Sequence, residues 1–261
     1  MNSDSAGGLT LEKVGPGNLA DCGIGCLTGK AHPGYRAKVD WLEERFAEGL
    51  RFLLYRDAQG KPLAFLEYVP GENAWRPVDA SGWLFAHCLW VYPRGQKVGG
   101  LGTRLVQAFV GEAREAGATG AAAMVSDGPW MAGKEVFLRN GFDQVAEADR
   151  FELVALQLEE GPAPRFRDIS ENLSQYQGLN LVYSNQCPML PKSVDALVEM
   201  AAERGLELKV HVLDSPEAAQ GAPSYYGVFN LVWNGRLLAD HYVSGGRFKN
   251  ILKNELADAS T

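Results

Sequence analysis

Residues 91–102 read Val-Tyr-Pro-Arg-Gly-Gln-Lys-Val-Gly-Gly-Leu-Gly, a glycine-rich, basic stretch suited to holding an anion. Glycines let successive backbone N–H groups point the same way, and a helix starting beside them adds the positive end of its dipole. The expected guest is a pyrophosphate. Two glycine-loop patterns fail here. No Gly-Lys-Ser/Thr occurs, and reading G-x-G-x-x-G from Gly100 puts Leu105 at the third glycine. A basic residue, two spacers, Gly, one spacer, Gly does fit, with Lys97, Gly100 and Gly102; starting from Gln96 puts Leu101 at the last glycine. Gly100 and Gly102 are expected to admit no side chain. Lys97 is expected to matter less, because the cradle is mostly backbone.

Four further residues carry candidate acid–base chemistry. Trp83-Leu84-Phe85-Ala86-His87-Cys88-Leu89-Trp90 is an apolar strand whose polar members are His87 and Cys88. Strand alternation puts Phe85, His87 and Leu89 on one face. An imidazole titrates in the range a general base needs; a lone His in such a strand also serves as a hydrogen-bonded core residue. Glu67 ends the apolar run Ala64-Phe65-Leu66, so its charge needs a partner or a function. Glu72 shares a loop with Trp75 and Arg76 and is the third candidate base, or a surface carboxylate paired with Arg76. Trp75-Arg76 suits an anionic acceptor, or caps a sheet edge by stacking.

Periodicity gives the elements that must position these groups. Strands are expected at Leu9–Val14, Leu50–Tyr55 and Pro62–Val69, the latter two joined at Asp57-Ala58-Gln59-Gly60. Gly34–Gly49 reads as a helix with Tyr35, Val39, Leu42 and Phe46 on one stripe, and residues 71–81 read as a loop. A helix runs from Thr103 to Gly117. Then come a strand (Ala121–Val125), a short helix near Lys134–Asn140, and strands at Phe142–Ala146 and Phe151–Leu158.

Strand, glycine turn, helix, strand, short helix and Gly141-Phe142 in this order resemble the GNAT superfamily of N-acetyltransferases, over roughly residues 8–158. The resemblance implies a mixed α/β (α+β) sheet with flanking helices and acetyl-CoA as co-substrate, with no metal. It implies that backbone groups of Leu89, Trp90 and Val91 hold pantetheine. It also implies that the loop of Lys97, Val98, Gly99, Gly100, Leu101, Gly102 and Thr103 holds the pyrophosphate. His87, Glu67 and Glu72 are then rival bases, and Trp75 and Arg76 candidates for the acceptor side. Many members carry a tyrosine four residues before the Gly of Gly-Phe; here that position is Phe137. Cys88 or water is left to protonate the departing thiolate.

Glu159-Glu160-Gly161-Pro162-Ala163-Pro164 breaks the composition, so domains are expected at 1–160 and 165–261. The second half restarts: strand Leu179–Tyr183, helix Lys192–Arg204, strand Leu206–Leu213, strands Val228–Trp233 and Leu237–Tyr242 around Asn234-Gly235, and helix Arg247–Leu256. This order resembles a thioredoxin-like fold with an incomplete redox motif. Cys187-Pro188-Met189-Leu190 carries one cysteine, and Gly227 stands where a proline normally precedes the hairpin. An acetyltransferase half with such a tail resembles the bacterial YoaP-like proteins, with Trp75-Arg76, Gly141-Phe142 and Tyr226-Gly227-Val228-Phe229 as shared segments.

The totals bound the rest. The chain has 261 residues, 46% apolar and 22% charged, enough for a packed core in two modest domains or one large one. A net charge of −7 disfavours a general nucleic-acid surface. No apolar run spans a bilayer, and Met1-Asn2-Ser3-Asp4 opens no signal-peptide pattern. Four cysteines suggest no disulfide scaffold, so a cytoplasmic protein with reduced thiols is expected. Cys22, Cys26 and His32 form C-x3-C-x5-H without a local fourth metal ligand, and read as packed thiols. Three functions follow: an N-acetyltransferase acting on a small-molecule or peptide amine, an acyl-CoA sensing module without turnover, or a thiol protein working through Cys187.

Overall fold

A computed structural model describes residues 8–256; the opening Met1-Asn2-Ser3-Asp4 lies outside them. The chain divides into two compact units. One takes the chain up to Lys30, Val39–Ala74 and Val78–Phe166. The other takes Ala31–Lys38, Trp75–Pro77 and the chain from Arg167 on. Two short pieces of the first half thus belong to the second unit, which a contiguous division at residue 160 does not anticipate. The border itself falls after Phe166. Leu158 and Glu159 both donate to the Thr119 carbonyl (2.8 and 3.0 Å), and the Trp83 indole donates to Pro162 O at 2.9 Å. The Gly/Pro-rich stretch is therefore fastened to the first unit.

In the first unit β1 (Thr10–Val14), α1 (Leu19–Cys22) and α2 (Pro33–Arg45, whose opening turns count with the second unit) lead into β2 (Arg51–Arg56) and β3 (Pro62–Pro70). The β2–β3 turn is built by Asp57, whose Oδ1 accepts from the backbone of Gln59 (3.0 Å) and Lys61 (2.9 Å). After β4 (Val78–Asp79) come β5 (Leu84–Val91), α3 (Pro93–Gln96), α4 (Leu101–Glu115), β6 (Gly120–Val125), α5 (Glu135–Leu138), β7 (Asp143–Ala148), β8 (Phe151–Gln157) and β9 (Arg165–Phe166). The sheet order is β1-β2-β3-β5-β6-β8-β7, and β4 pairs with β9. β5 and β6 run parallel; the other pairs are antiparallel.

α4 closes one face of this sheet. Leu101, Leu105, Val106, Phe109, Val110 and Ala113 recur on one stripe and are all buried. Each such large apolar side chain contributes about 1.5–3 kcal/mol on burial. Ala64, Leu66 and Tyr68 of β3 and Leu84 and Ala86 of β5 share that core. Alternation turns Phe65, Glu67 and Val69 to the opposite face. Tyr68 also donates to the Glu112 carboxylate on α4 (2.6 Å), and burial with this bond pushes its phenol well above the ordinary range.

In the second unit β10 (Leu179–Tyr183), α6 (Leu190–Ala202), β11 (Leu208–Val212), α7 (Pro216–Gln220), β12 (Phe229–Trp233), β13 (Arg236–Ala239) and α8 (Gly245–Glu255) follow in turn. The sheet order is β11-β10-β12-β13; β10 is parallel to β11 and antiparallel to β12. Asn234 and Gly235 both have positive φ (46° and 75°), as a tight hairpin requires. No helix among the described residues is long and apolar enough to cross a membrane.

Candidate active site

The site begins with one extra residue in β5. Along β3 and β5, Glu67 pairs with Cys88 and Tyr68 with Ala86, so His87 has no residue opposite it. A bulge of this kind bends its strand and resets which side chains face which way. Leu84 and Ala86 face α4 before the bulge; Leu89 and Val91 pack against the same core after it. Alternation alone would put Leu89 with Phe85 and His87. The bulge corrects that: Leu89 turns to the α4 side, and His87 stays beside Phe85, their rings 5.8 Å apart.

The bend also parts two strands. β5 and β6 pair at Leu84–Ala121, Phe85–Ala122 and Ala86–Ala123 and no further. β5 continues to Val91 along β3, and β6 to Val125 along β8. Beyond Ala86 the two parallel strands leave a gap into which alternate backbone groups of residues 88–91 point. A small cleft, partly open to solvent, lies in it; His87, Cys88, Met124, Trp130, Met131 and Phe137 are among its lining residues.

His87 lines this cleft, and Glu67 of β3 stands behind it. His87 Nδ1 stands 3.7 Å from Glu67 Oε1, and the two side chains are 0% and 4% exposed. The sequence reading set them up as rivals; the structure pairs them, a carboxylate behind an imidazole at a pocket wall. Both are lone polar residues in neighbouring apolar strands, and that shared feature was the available signal. Cys88 follows, exposed at the same pocket. Glu72 is exposed on the 3-10 turn Gly71–Asn73 and is not among the lining residues. Phe137 lines the pocket with its ring against Phe142 (5.3 Å), so this position offers no hydroxyl.

The basic turn sits at the end of β5. It holds a short helix, α3, that periodicity missed, and Lys97 ends it in the open. Gly99 and Gly100 follow with φ of 74° and 68°. An added Cβ at either glycine would meet nothing within 4 Å. Their requirement is therefore backbone conformation, not the lack of space expected of Gly100. Gly102 has ordinary room as well, its nearest neighbour being Val136 Cγ2 at 3.4 Å. α4 starts at Leu101, two residues earlier than expected, and no side chain caps it. The first-turn N–H groups of Leu101, Gly102 and Thr103 have no partner within the helix. Leu101 faces the core and offers the turn only its backbone, while Val98 and Trp90 are exposed.

Trp75 and Arg76 do something other than the acceptor binding expected of them. Both are buried in the second unit, where Arg76 donates to Tyr226 O (2.5 Å) and Gln186 Oε1 (3.4 Å) and lies over the Tyr226 ring. They anchor that unit. Cys187 lies half-buried in the turn three residues before α6. Gly34, in the first turn of α2, packs against the next residue so closely that a Cβ would fall 1.7 Å from Pro188 O.

The C-x3-C-x5-H residues are put to separate uses. His32 Nδ1 accepts from the backbone of Gly34 (3.1 Å). Cys22 donates to Glu12 Oε2 (3.4 Å), while Arg56 donates to the other oxygen of that carboxylate (3.2 Å). Among the described residues no three His, Cys, Asp or Glu gather to hold a metal. Burial and the Glu12 carboxylate push the Cys22 thiol up to about 11, keeping it protonated at neutral pH. With iodoacetamide near pH 8, exposed Cys88 is therefore expected to be alkylated well before Cys22. Peptide mapping by mass spectrometry reads the order, and faster labelling of Cys22 would contradict the assignment.

No family model matches the chain. It is similar to the uncharacterized N-acetyltransferase YoaP of Bacillus subtilis (strain 168), with 29% identity over 248 residues, spanning 92% of this chain and 96% of that protein. Two solved structures resemble parts of it. One is yncA from Salmonella typhimurium with its cofactor acetyl-CoA (21% identity, 60% of this chain and 98% of that one, TM-score 0.44). The other is the GNAT family N-acetyltransferase YhbS from Escherichia coli in complex with CoA (18% identity, 59% and 85%, TM-score 0.39).

Proposed function

We propose that this chain is an acyltransferase that moves the acetyl group of acetyl-CoA to an amine. The observation that carries the reading is the strand gap beyond Ala86, lined by His87 with buried Glu67 3.7 Å behind it, on the strand leading to an uncapped helix start. Similarity to an N-acetyltransferase along nearly the whole chain supports it.

The residues present fit such a donor. The left-handed Gly99 and Gly100 and the open first turn of α4 suit a pyrophosphate. The unpaired edge of Leu89, Trp90 and Val91 suits an amide-bearing arm. Acetyl-CoA supplies an activated acetyl carbon. His87 accepts the proton that the attacking amine loses as the new C–N bond forms, and Glu67 behind it stabilises the imidazolium. As the C–S bond breaks, the leaving sulfur takes a proton from Cys88 or from solvent. Glu72 serves, on this reading, as a surface carboxylate.

The second unit is proposed as a thioredoxin-like accessory domain, supported by the order β11-β10-β12-β13 with α6 between its parallel strands. A single cysteine at Cys187 and Gly227 at the hairpin entry argue against redox cycling. A reducing, cytoplasmic setting is part of the same proposal.

The test is mass-spectrometric detection of N-acetylated product and free CoA from acetyl-CoA and a panel of amines, alongside calorimetric titration of acetyl-CoA. Binding with product formation is expected. Phe137, which leaves the pocket without a hydroxyl, favours one second reading, an acyl-CoA sensor. Tight binding without product on any amine would establish that instead.

A further inference from the structure

The side chains that Gly99 and Gly100 lack would meet nothing within 4 Å, so the glycine turn is not fixed in space by its own packing. What fixes it lies just before it, in α3. Four residues make no stable helix alone, so α3 (Pro93–Gln96) is held by its surroundings. The β3–β5 ladder ends at Ala64–Val91, and one further bond, from Tyr92 N–H to Leu63 O (2.9 Å), carries it to the foot of α3. Arg94 Nη1 reaches Asp57 Oδ2 of the β2–β3 turn at 3.7 Å. Val98 N–H and Gly99 N–H donate back to Gly95 O (3.1 Å) and Gln96 O (3.2 Å), so the turn rides on α3.

Gly95 is the point of contact. It is buried, and a Cβ there would fall 2.2 Å from Leu63 O, 3.0 Å from Leu63 C and 3.1 Å from Leu101 Cδ1. Its φ is not among the positive ones, and alanine is the better helix former, so closeness is what calls for glycine here. Leu63 O cannot swing aside, because it accepts the Tyr92 N–H, and Leu101 is buried in the core at the start of α4. An added methyl must instead lift α3 off β3 by about 1 Å to reach ordinary contact, and carry Lys97–Gly100 with it.

The strand edge of residues 89–91 comes just before α3, and the turn comes just after it. α3 therefore sets the spacing between the edge that suits the donor's arm and the turn that suits its pyrophosphate. Resting on the transferase reading, we propose that Gly95 is a positioning residue for the donor: by letting α3 lie on Leu63 O, it matches that spacing to the length of one arm. A ligand held at two points gains about 10²–10⁴-fold from the linkage, and loses the gain when the spacing no longer fits.

Calorimetry with acetyl-CoA and ligand-detected NMR titration with ADP, a diphosphate without the arm, test this on the full chain. Gly95→Ala is expected to weaken acetyl-CoA binding about 10-fold or more and to leave ADP within about 2-fold, because the turn moves as a body and keeps its shape. Arg94→Ala cuts the exposed tie to Asp57 without touching the core, and should weaken acetyl-CoA about 2–5-fold at unchanged ADP affinity. Failure of acetyl-CoA to bind the wild-type chain would overturn the transferase reading and this assignment with it. With acetyl-CoA bound, three outcomes overturn the assignment alone: no binding of ADP to the wild type, unchanged acetyl-CoA affinity in a folded Gly95→Ala, or an equal loss of both ligands in it. If melting curves show that Gly95→Ala does not fold, Arg94→Ala decides, and unchanged acetyl-CoA affinity there overturns the assignment.

Discussion

Gly100→Val is expected to lower acetyl-CoA affinity by about 100-fold or more while leaving the fold standing. The reason is torsional. Gly100 has φ of 68° and nothing within 4 Å of the Cβ it lacks, so valine meets no clash, only a conformation that a β-branched residue resists. Single residues in such strain cost about 1–3 kcal/mol, less than a domain's typical stability of about 5–15 kcal/mol. The chain escapes by turning the peptide between Gly99 and Gly100, which carries N–H groups away from the helix start. Gly100→Asn is the control, because asparagine tolerates the left-handed region; it should keep most of the affinity. Gly102→Ala separates conformation from proximity. Its new methyl would make ordinary contact with Val136 and Val91, so the melting temperature should hold or rise. Any loss of binding there then reports a ligand lying close. Calorimetry and thermal melting read both quantities. Unchanged affinity in Gly100→Val would remove the glycine turn from the site.

The second large effect belongs to the buried pair. His87→Gln is expected to lower kcat about 10²–10⁴-fold, the usual contribution of a positioned general base, with the KM for acetyl-CoA little changed. Glu67→Gln keeps the shape of the side chain and removes its charge, and should lower kcat by a smaller factor. If the two act as one unit, the double variant should be no slower than His87→Gln alone. Removing one member of a buried polar pair leaves the other unsatisfied, at about 1–3 kcal/mol, so melting curves must accompany the rates. A folded His87→Gln with wild-type kcat would pass the base role elsewhere, with Cys88 and bound water next in line.

Much of the framework of the candidate site was legible in the chain. Lys97, Gly100 and Gly102 at their spacing marked the turn, and the apolar runs around them marked β5 and α4. What periodicity could not supply was the bulge at His87. A period of two carries straight through a sequence of eight residues, and nothing in Ala86-His87-Cys88 announces that one residue is passed over by the partner strand. The error in placing Leu89 and the failure to pair Glu67 with His87 come from this single residue. The four- and five-residue helices α1, α3, α5 and α7 are too short to show a stripe, so only α5 was read from its surroundings. Trp75-Arg76 misled for another reason. An exposed-looking Trp-Arg pair in a loop suits a ligand; its actual partners, Tyr226 and Gln186, lie more than a hundred residues along the chain, beyond the reach of local pattern.

The parts of the second unit emerge from the ribosome in three instalments. Ala31–Lys38 and Trp75–Pro77 are synthesised first, and everything from Arg167 on arrives last. Until then Arg76 has no carbonyl of Tyr226 to bond, and Gly34 no Pro188 to lie against. This half of the molecule therefore cannot complete itself co-translationally, and it cannot be cut out of the gene as a cassette at the Gly/Pro-rich stretch. A fragment starting at residue 165 would lack the buried guanidinium and the helix turn that finish its core. A recombination break after Phe166 would leave the first unit whole and strip the second of its two early pieces, so the second can be inherited only together with the first.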